Sequence, residues 1–219
     1  MSYKYELHCH TGCVSRCGRV EPERIVKLYK QHGYSGIVVT DHYSPMTFTP
    51  NWSPEKQIDF YLEGYRRMKK AAGSDFTVLL GMELRHYASA DDYLIYGVTE
   101  DFLYSAGNLM MCGVPKMKKF CEENGFLLMN AHPFRPLRTR CSPKYLDGIE
   151  VYNGKTPKKE NDKAFEWAKK NNKIMVSGSD FHTEKHTARG GIITKEPIKS
   201  NSDLLTILKK GDFTLVKTE

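Results

Sequence analysis

Residues 173–182 read KIMVSGSDFH: a short apolar run, two small residues, then an aspartate and a histidine. An apolar run of this length, bounded by a polar turn, has the signature of a buried strand. The same cadence recurs along the chain. YKYELHCH (3–10) closes on His8 and His10, GIVVTDH (36–42) on Asp41 and His42, FTVLLGME (76–83) on Glu83, and FLLMNAH (126–132) on His132. GIEVYN (148–153) carries Glu150 within the run, and DYLIYGV (92–98), GIIT (191–194) and FTLV (213–216) are further strand candidates.

Helical patterns separate these runs. Pro22 suits a first helical turn and Gly33 a stop, with Ile25, Leu28 and Tyr29 between them at helical spacing. Ser53-Pro54 launches a helix to about Ala72 that carries Ile58, Tyr61, Leu62, Tyr65 and Met68. Others are expected near 115–124, stopped by Gly125, over about 158–171 with Ala164, Phe165 and Ala168 inward, and from a cap at Asn201 or Ser202. Strands alternating with helices predict βα units and a largely parallel sheet, open or closed. No glycine-rich nucleotide fingerprint and no Walker loop are present.

Bulk properties narrow the class. A chain of 219 residues, 40% hydrophobic and 27% charged, is expected to form one domain over 1–219. MSYKYEL lacks a signal peptide's apolar run and no stretch is long enough to span a bilayer, so the expected compartment is the cytoplasm and no membrane partner is expected. The +7 charge is dispersed over short lysine runs (69–70, 118–119, 158–159, 169–170, 209–210), which read as solvated helix faces. Six cysteines in such a chain do not read as a disulfide framework: Cys112, Cys121 and Cys141 are isolated, and the spacing of Cys13 and Cys17 fits neither a redox pair nor a zinc knuckle.

Five of the eight histidines fall at strand ends, with Glu83 and Asp180 beside them. Residues two apart on a strand face the same side, so His8 and His10 point together, Cys9 points away, and Asp180 and His182 converge if their strand stays extended. Parallel α/β folds gather strand C-termini at one mouth. Imidazoles mixed with carboxylates there suit zinc, manganese or iron and argue against a pure magnesium or calcium site. His32 reads instead as a helix C-terminal residue, and His86 and His186 as loop residues open to either role.

The segments LHCHT (7–11), TDH (40–42), GME (81–83), AHP (131–133), GIEVYN (148–153) and GSDFH (178–182) together resemble the PHP (polymerase and histidinol phosphatase) family of metal-dependent hydrolases, across essentially the whole chain. That resemblance implies a distorted seven-stranded β/α barrel, TIM-like, with two or three divalent metals, zinc, manganese or iron, at the strand C-termini. It implies that His8, His10, Glu83 and Asp180 hold one metal, that Glu83 bridges to a second also bound by His132, and that His42 and His182 bind a third. The chain departs from the family pattern twice. TGCVSRCG (11–18) has no acid or histidine to complete the third site, where Cys17 is either a thiolate ligand or a free cysteine. Tyr93 stands where a further histidine ligand is common, with His86 as a substitute from the preceding loop.

The resemblance also implies phosphoester hydrolysis by a metal-activated water, on a small-molecule or nucleotide phosphomonoester. Glu83 is then the residue on which catalysis depends most, and His182 and His42 are candidates to protonate the leaving group. Arg16, Arg135, Arg138 and above all Arg189 are candidates for phosphate contacts, since guanidinium matches phosphate in a fork. Glu150 is placed with these substrate-side residues at the mouth, in an orienting rather than a ligating role. A 5′–3′ exonuclease or oligonucleotide phosphoesterase, which keeps nucleic acid open as a partner, is the nearest alternative. A protein-tyrosine-phosphate phosphatase and a catalytically silent metal-binding interaction domain are the others. Oligomeric state is not legible.

Overall fold

Each apolar run becomes a strand, and its neighbours lie beside it. A computed structural model describes residues 2–87 and 89–218. In chain order the elements are β1 (Tyr3–Cys9), α1 (Pro22–Gln31), β2 (Gly36–Val39), β3 (His42–Tyr43), α2 (Pro54–Ala72), β4 (Thr77–Leu84), β5 (Tyr93–Tyr96), α3 (Glu100–Ser105), α4 (Gly113–Asn124), β6 (Leu127–Asn130), β7 (Gly148–Asn153), α5 (Lys158–Lys170), β8 (Ile174–Gly178), β9 (Gly190–Thr194), α6 (Asn201–Lys210) and β10 (Phe213–Lys217).

The sheet runs β10-β9-β1-β2-β4-β5-β6-β7-β8, with β3 beside β4. Beyond β8, Phe181 donates to His8 O at 3.1 Å and accepts from His10 N at 3.0 Å, which brings the last strand's exit back to the first. Seven strands, β1, β2, β4, β5, β6, β7 and β8, therefore form a nearly closed TIM-like barrel. β9 and β10 extend it as an antiparallel flap on β1. The distortion sits at β5, antiparallel to both β4 and β6. Among the described residues of 85–92 there is no helix, and so short a connection returns the chain as a hairpin rather than through a parallel crossover.

Two apolar layers hold the barrel. Tyr5, Leu7, Val38, Leu94, Tyr96, Met129 and Val176 fill its interior, and Leu204 and Leu208 of α6 pack with them. Tyr5 and Thr77, near the starts of β1 and β4, both bond the backbone of Ile198, so the segment leading into α6 seals the N-terminal end. Outside, Ile25, Tyr29, Leu62, Met68, Met82 and Ala164 form the layer between sheet and helices. Ser53 caps α2 as its sequence predicts, accepting from Lys56 N. α6 is capped one residue earlier than its sequence suggests, by Ser200.

A bulge in β1 decides which side chains face the mouth. Between Glu6↔Ile37 and Cys9↔Val39, Leu7 and His8 stand opposite the single residue Val38. Leu7 joins the interior with Val38, and His8 next to it also turns inward. Glu6 faces the outer layer, where it accepts from Tyr29 Oη at 2.8 Å. Its other oxygen accepts the bulge's own Leu7 and His8 N–H groups, at 3.0 and 2.9 Å, and Ser179 N at 2.8 Å. A bulge characteristically re-aims a side chain beside an active site.

Candidate metal centre

Glu83, near the end of β4, is the hub. Its Oε1 lies 3.0 Å from His132 Nε2 and 3.3 Å from His8 Nε2. Its Oε2 lies 2.7 Å from His42 Nδ1 and 3.3 Å from His10 Nε2. Asp180 Oδ1 closes the ring, 3.6 Å from His8 Nε2, 3.4 Å from His10 Nε2 and 3.2 Å from His182 Nδ1.

These seven side chains resolve into three groups whose donor atoms are close enough to share an ion: His8–Glu83–His132, His8–His10–Asp180 and His10–His42–His182. The expected first-metal residues and the expected pairing of Glu83 with His132 fall together, and His10 joins the expected His42–His182 pair. His8 Nε2, His10 Nε2 and Glu83 Oε2 are buried without a hydrogen-bond partner. Buried polar atoms are almost always satisfied, so convergent orphan donors of mixed imidazole and carboxylate type fit divalent transition metals.

Residues behind the ring fix its orientation. Glu150 Oε1 bonds His8 Nδ1 at 2.7 Å, while its Oε2 accepts from His132 N at 2.9 Å and Asn153 Nδ2 at 2.9 Å. A carboxylate on one imidazole nitrogen leaves the other aimed at the metal. His10 is held by a relay. The Ser15 hydroxyl donates to Asp41 Oδ1 at 2.7 Å, so its oxygen accepts from His10 Nδ1 at 3.2 Å and frees Nε2 for the site. Asp41 also takes Thr11 N and Thr11 Oγ1, both at 2.7 Å. Gly64 of α2 permits this approach, because a Cβ there would lie 2.7 Å from Asp41 Oδ2.

Two side chains of the cluster sit on left-handed backbone, His132 (φ 27) and Asp180 (φ 52), a conformation that costs L residues free energy and concentrates at functional sites. The extended geometry expected for Asp180 and His182 is therefore not what unites them. β8 ends at Gly178, and the turn at Asp180 swings its carboxylate inward. Arg135 Nη2 and Asn153 Nδ2 anchor its outer oxygen, at 2.6 and 3.3 Å.

Burial and mutual attraction set the charges in opposite directions. Burial pushes the Glu83 carboxyl up, but His42 and His8 overcome it and hold the group well below the usual carboxylate range. Burial is likewise outweighed at Asp180 by His8, His10 and His182. His8 and His42 are raised well above an ordinary imidazole because nearby carboxylates outweigh desolvation, and His182 is raised to about 9. His10 goes the other way, well below, as burial and repulsion from His42 and His182 add.

The expected substrate-side residues separate. Glu150 is fully buried behind His8 and His132, so it orients the ring and does not reach the mouth. Arg135 reaches the site, but Nε and Nη2 are committed to Thr156, Asn153 and Asp180. Arg16 is exposed on the 11–20 loop. Arg189 donates to Gly154 O and lines, with Lys158, Phe165 and Lys217, a cavity of ≈ 940 Å³ that none of the seven clustered side chains lines, so its closeness in sequence to SDFH does not place it at the cluster. His86 belongs to none of the three groups; it packs near Tyr93, which is itself buried outside them. Cys17 lies against His42 and His182: burial pushes its thiol up, but the two imidazoles bring it down to about 6.

Several functional neighbours escaped the sequence reading. Lys155 Nζ stands 3.2 Å from His182 Nδ1, on a turn whose course no pattern announces. Ser15 carries no motif. Arg85 and Asp92 did carry a signal: one is two residues past Glu83 on the same strand face, and the other adjoins Tyr93.

A barrel whose mouth gathers imidazoles and carboxylates around one shared glutamate is the architecture of a metal-dependent hydrolase. The chain belongs to the PHP domain family, whose model matches residues 6–205. Among solved structures, PsfC from Pseudomonas syringae PB-5123 is similar with a TM-score of 0.73 and 16% identity, over 99% of this chain and 92% of that one. A protein from Bifidobacterium adolescentis ATCC 15703 described as a metal-dependent phosphoesterase gives 0.57 and 16%, over 94% and 96%. An amidohydrolase from Chromobacterium violaceum gives 0.54 and 12%, over 96% and 97%. At these identities the likeness is one of fold. No curated protein matches the sequence.

Proposed function

We propose that the protein hydrolyses phosphoesters, most readily phosphomonoesters of small molecules or nucleotides, with two or three divalent ions of zinc, manganese or iron. The observation that carries this reading is the division of Glu83: one oxygen faces His8 and His132, the other His10 and His42. A carboxylate so placed joins adjacent ligand groups, and its charge offsets the repulsion between neighbouring cations. Divalent ions held there would supply Lewis acidity toward phosphoryl oxygens and a water acidified toward neutral pH.

The chain's own residues do the rest. Glu150 and Ser15 fix the rings of His8 and His10 so that their Nε2 atoms point into the site. The apolar barrel interior, and outside it the layer that holds Phe181 against Tyr29, keep bulk water behind the ring away. At the open side, Lys155 adds a cation beside His182 that favours an anionic substrate and can stabilise charge on a departing oxygen. His42 and His182, the more accessible imidazoles, are placed to hand a proton to the leaving group where no ion claims them. The Bifidobacterium neighbour's description supports the reaction class, and the Chromobacterium structure holds bound sulfate, a tetrahedral oxyanion like phosphate.

The test is a turnover screen of metal-reconstituted protein over phosphomonoesters, phosphotyrosine peptides and short oligonucleotides. Chelator-sensitive release of inorganic phosphate from the monoesters is expected. Exclusive cleavage of oligonucleotides would move the reading to a nuclease, and no release from any substrate would overturn it.

A further inference from the structure

We infer that Arg85 and Arg138, yoked on Asp92, form an oxyanion subsite at the flank of the metal centre that grips the phosphoryl group. This rests on the phosphoesterase reading above.

Arg85 follows Glu83 by two residues, and Arg85 N still pairs with Tyr43 O at 3.1 Å, so the strand geometry persists and aims both side chains to one side. Its guanidinium forks onto Asp92, Nε to Oδ1 at 2.6 Å and Nη2 to Oδ2 at 2.7 Å. Arg138 Nη2 reaches the same Oδ2 at 2.8 Å. That oxygen is 3.8 Å from His132 Nε2, which places the assembly against the His8–Glu83–His132 group. The loop bearing Arg138 is pinned rather than free: Thr139 N and Oγ1 bond the two oxygens of Asp91 at 2.7 and 2.8 Å.

Charge points to an absent anion. Two guanidinium groups face one buried carboxylate, which leaves the trio cationic, and among the described residues neither arginine has another acidic partner at ion-pair distance. An uncompensated cation in a partly buried site is costly unless something completes it. Arg138 Nε is buried with no hydrogen-bond partner, and the side chains remain 27% and 15% exposed, open to a ligand. Of five N–H donors on each guanidinium, Asp92 accepts two from Arg85, while Arg138 Nη2 meets it as an ion pair. Arg135, whose Nε and Nη2 are spent on three protein groups, is the contrasting case. A tetrahedral dianion supplies both the charge and the paired acceptors that free guanidinium edges select.

Titration of metal-loaded protein with inorganic phosphate tests the subsite without turnover. R138M, and R85K as the variant that keeps charge but loses the fork, should each weaken phosphate binding about tenfold or more. Metal stoichiometry and melting temperature should stay at parental values. Parental phosphate affinity in both variants would overturn the inference while leaving the phosphoesterase reading intact. Loss of bound metal in both would also overturn it, by assigning the pair to support of the metal site. Failure of the parent protein itself to bind phosphate would instead count against the phosphoesterase reading.

Discussion

The two corners of the metal centre use the same chemistry on different foundations. At the His8–His10–Asp180 corner every ligand is buried and backed: His8 by Glu150, His10 by Ser15, Asp180 by Arg135 and Asn153. At the His42–His182 corner the support thins. His42 sits on a two-residue strand with its side chain 23% exposed, and His182 lies beyond β8 against Lys155. The nearest further donor there, Cys17, is exposed on a loop. Pre-oriented, dehydrated ligands lose little freedom on binding an ion, whereas an open corner must order itself and compete with water. The first corner is thus expected to retain a metal and the second to exchange one, or to admit substrate in its place.

Substitution of the shared hub should erase the difference. E83Q keeps the shape but removes the charge between the corners, and turnover at saturating metal should fall about 10²-fold or more. Elemental analysis should show metal lost from both corners, on protein confirmed folded by circular dichroism; near-parental turnover would remove Glu83 from the hub. E150Q acts on one side only. It should weaken the most tightly held ion by about 10–100-fold, the range for partners that orient a ligating histidine. Competition with a chromophoric chelator reads this directly, and an effect confined to the weakest ion would reverse the ranking of the corners.

Acidity acts on both corners. Burial lowers His8, His42 and His182, but the carboxylates beside them outweigh it, raising His8 and His42 well above the ordinary imidazole range and His182 to about 9, which favours their protonated forms in the metal-free protein. A metal must displace those protons, so affinity should rise with pH toward 9, by about tenfold per unit for each proton displaced, and fall on acidification. Calorimetry in buffers of differing ionisation enthalpy counts the protons released; a count of zero would contradict these protonation states. C17S should have the smallest effect, lowering only the affinity of the weakest-held equivalent, and an unchanged affinity of that equivalent in a metal titration would place the sulfur outside the centre.

Much of this was readable because ligand-type residues at strand ends are conspicuous. His8, His10, Glu83 and His132 follow from apolar runs closing at one barrel mouth. Reading failed where the backbone departs from extended geometry or where neighbours in sequence part in space. Asp180 is brought in by a left-handed turn that no alternation rule contains. Asp41 adjoins His42 yet turns to Thr11 and Ser15. Arg189 follows SDFH closely and faces a different cavity, whereas Lys155, far from any motif, stands beside His182. Arg85 was available by simple alternation from Glu83, but no apolar pattern marks where β4 stops pairing.

The bulge at Leu7–His8 makes the site depend on counting as well as on chemistry. Glu6, His8 and His10 share one parity along the sequence, yet Glu6 faces outward and both histidines inward, and the surplus residue between them reconciles the two. Deleting Leu7, the one residue between Glu6 and His8, would keep every side chain of the cluster in the sequence and still leave an ideal, fully paired β1. Glu6 and His8, then adjacent, would alternate and still face opposite sides, but the interior would lose Leu7 and Glu6 would lose one of the backbone N–H groups from which it accepts. The facing of the cluster survives such an edit while the packing and hydrogen bonds beneath it do not, so the surplus residue serves the support of the site rather than its direction alone.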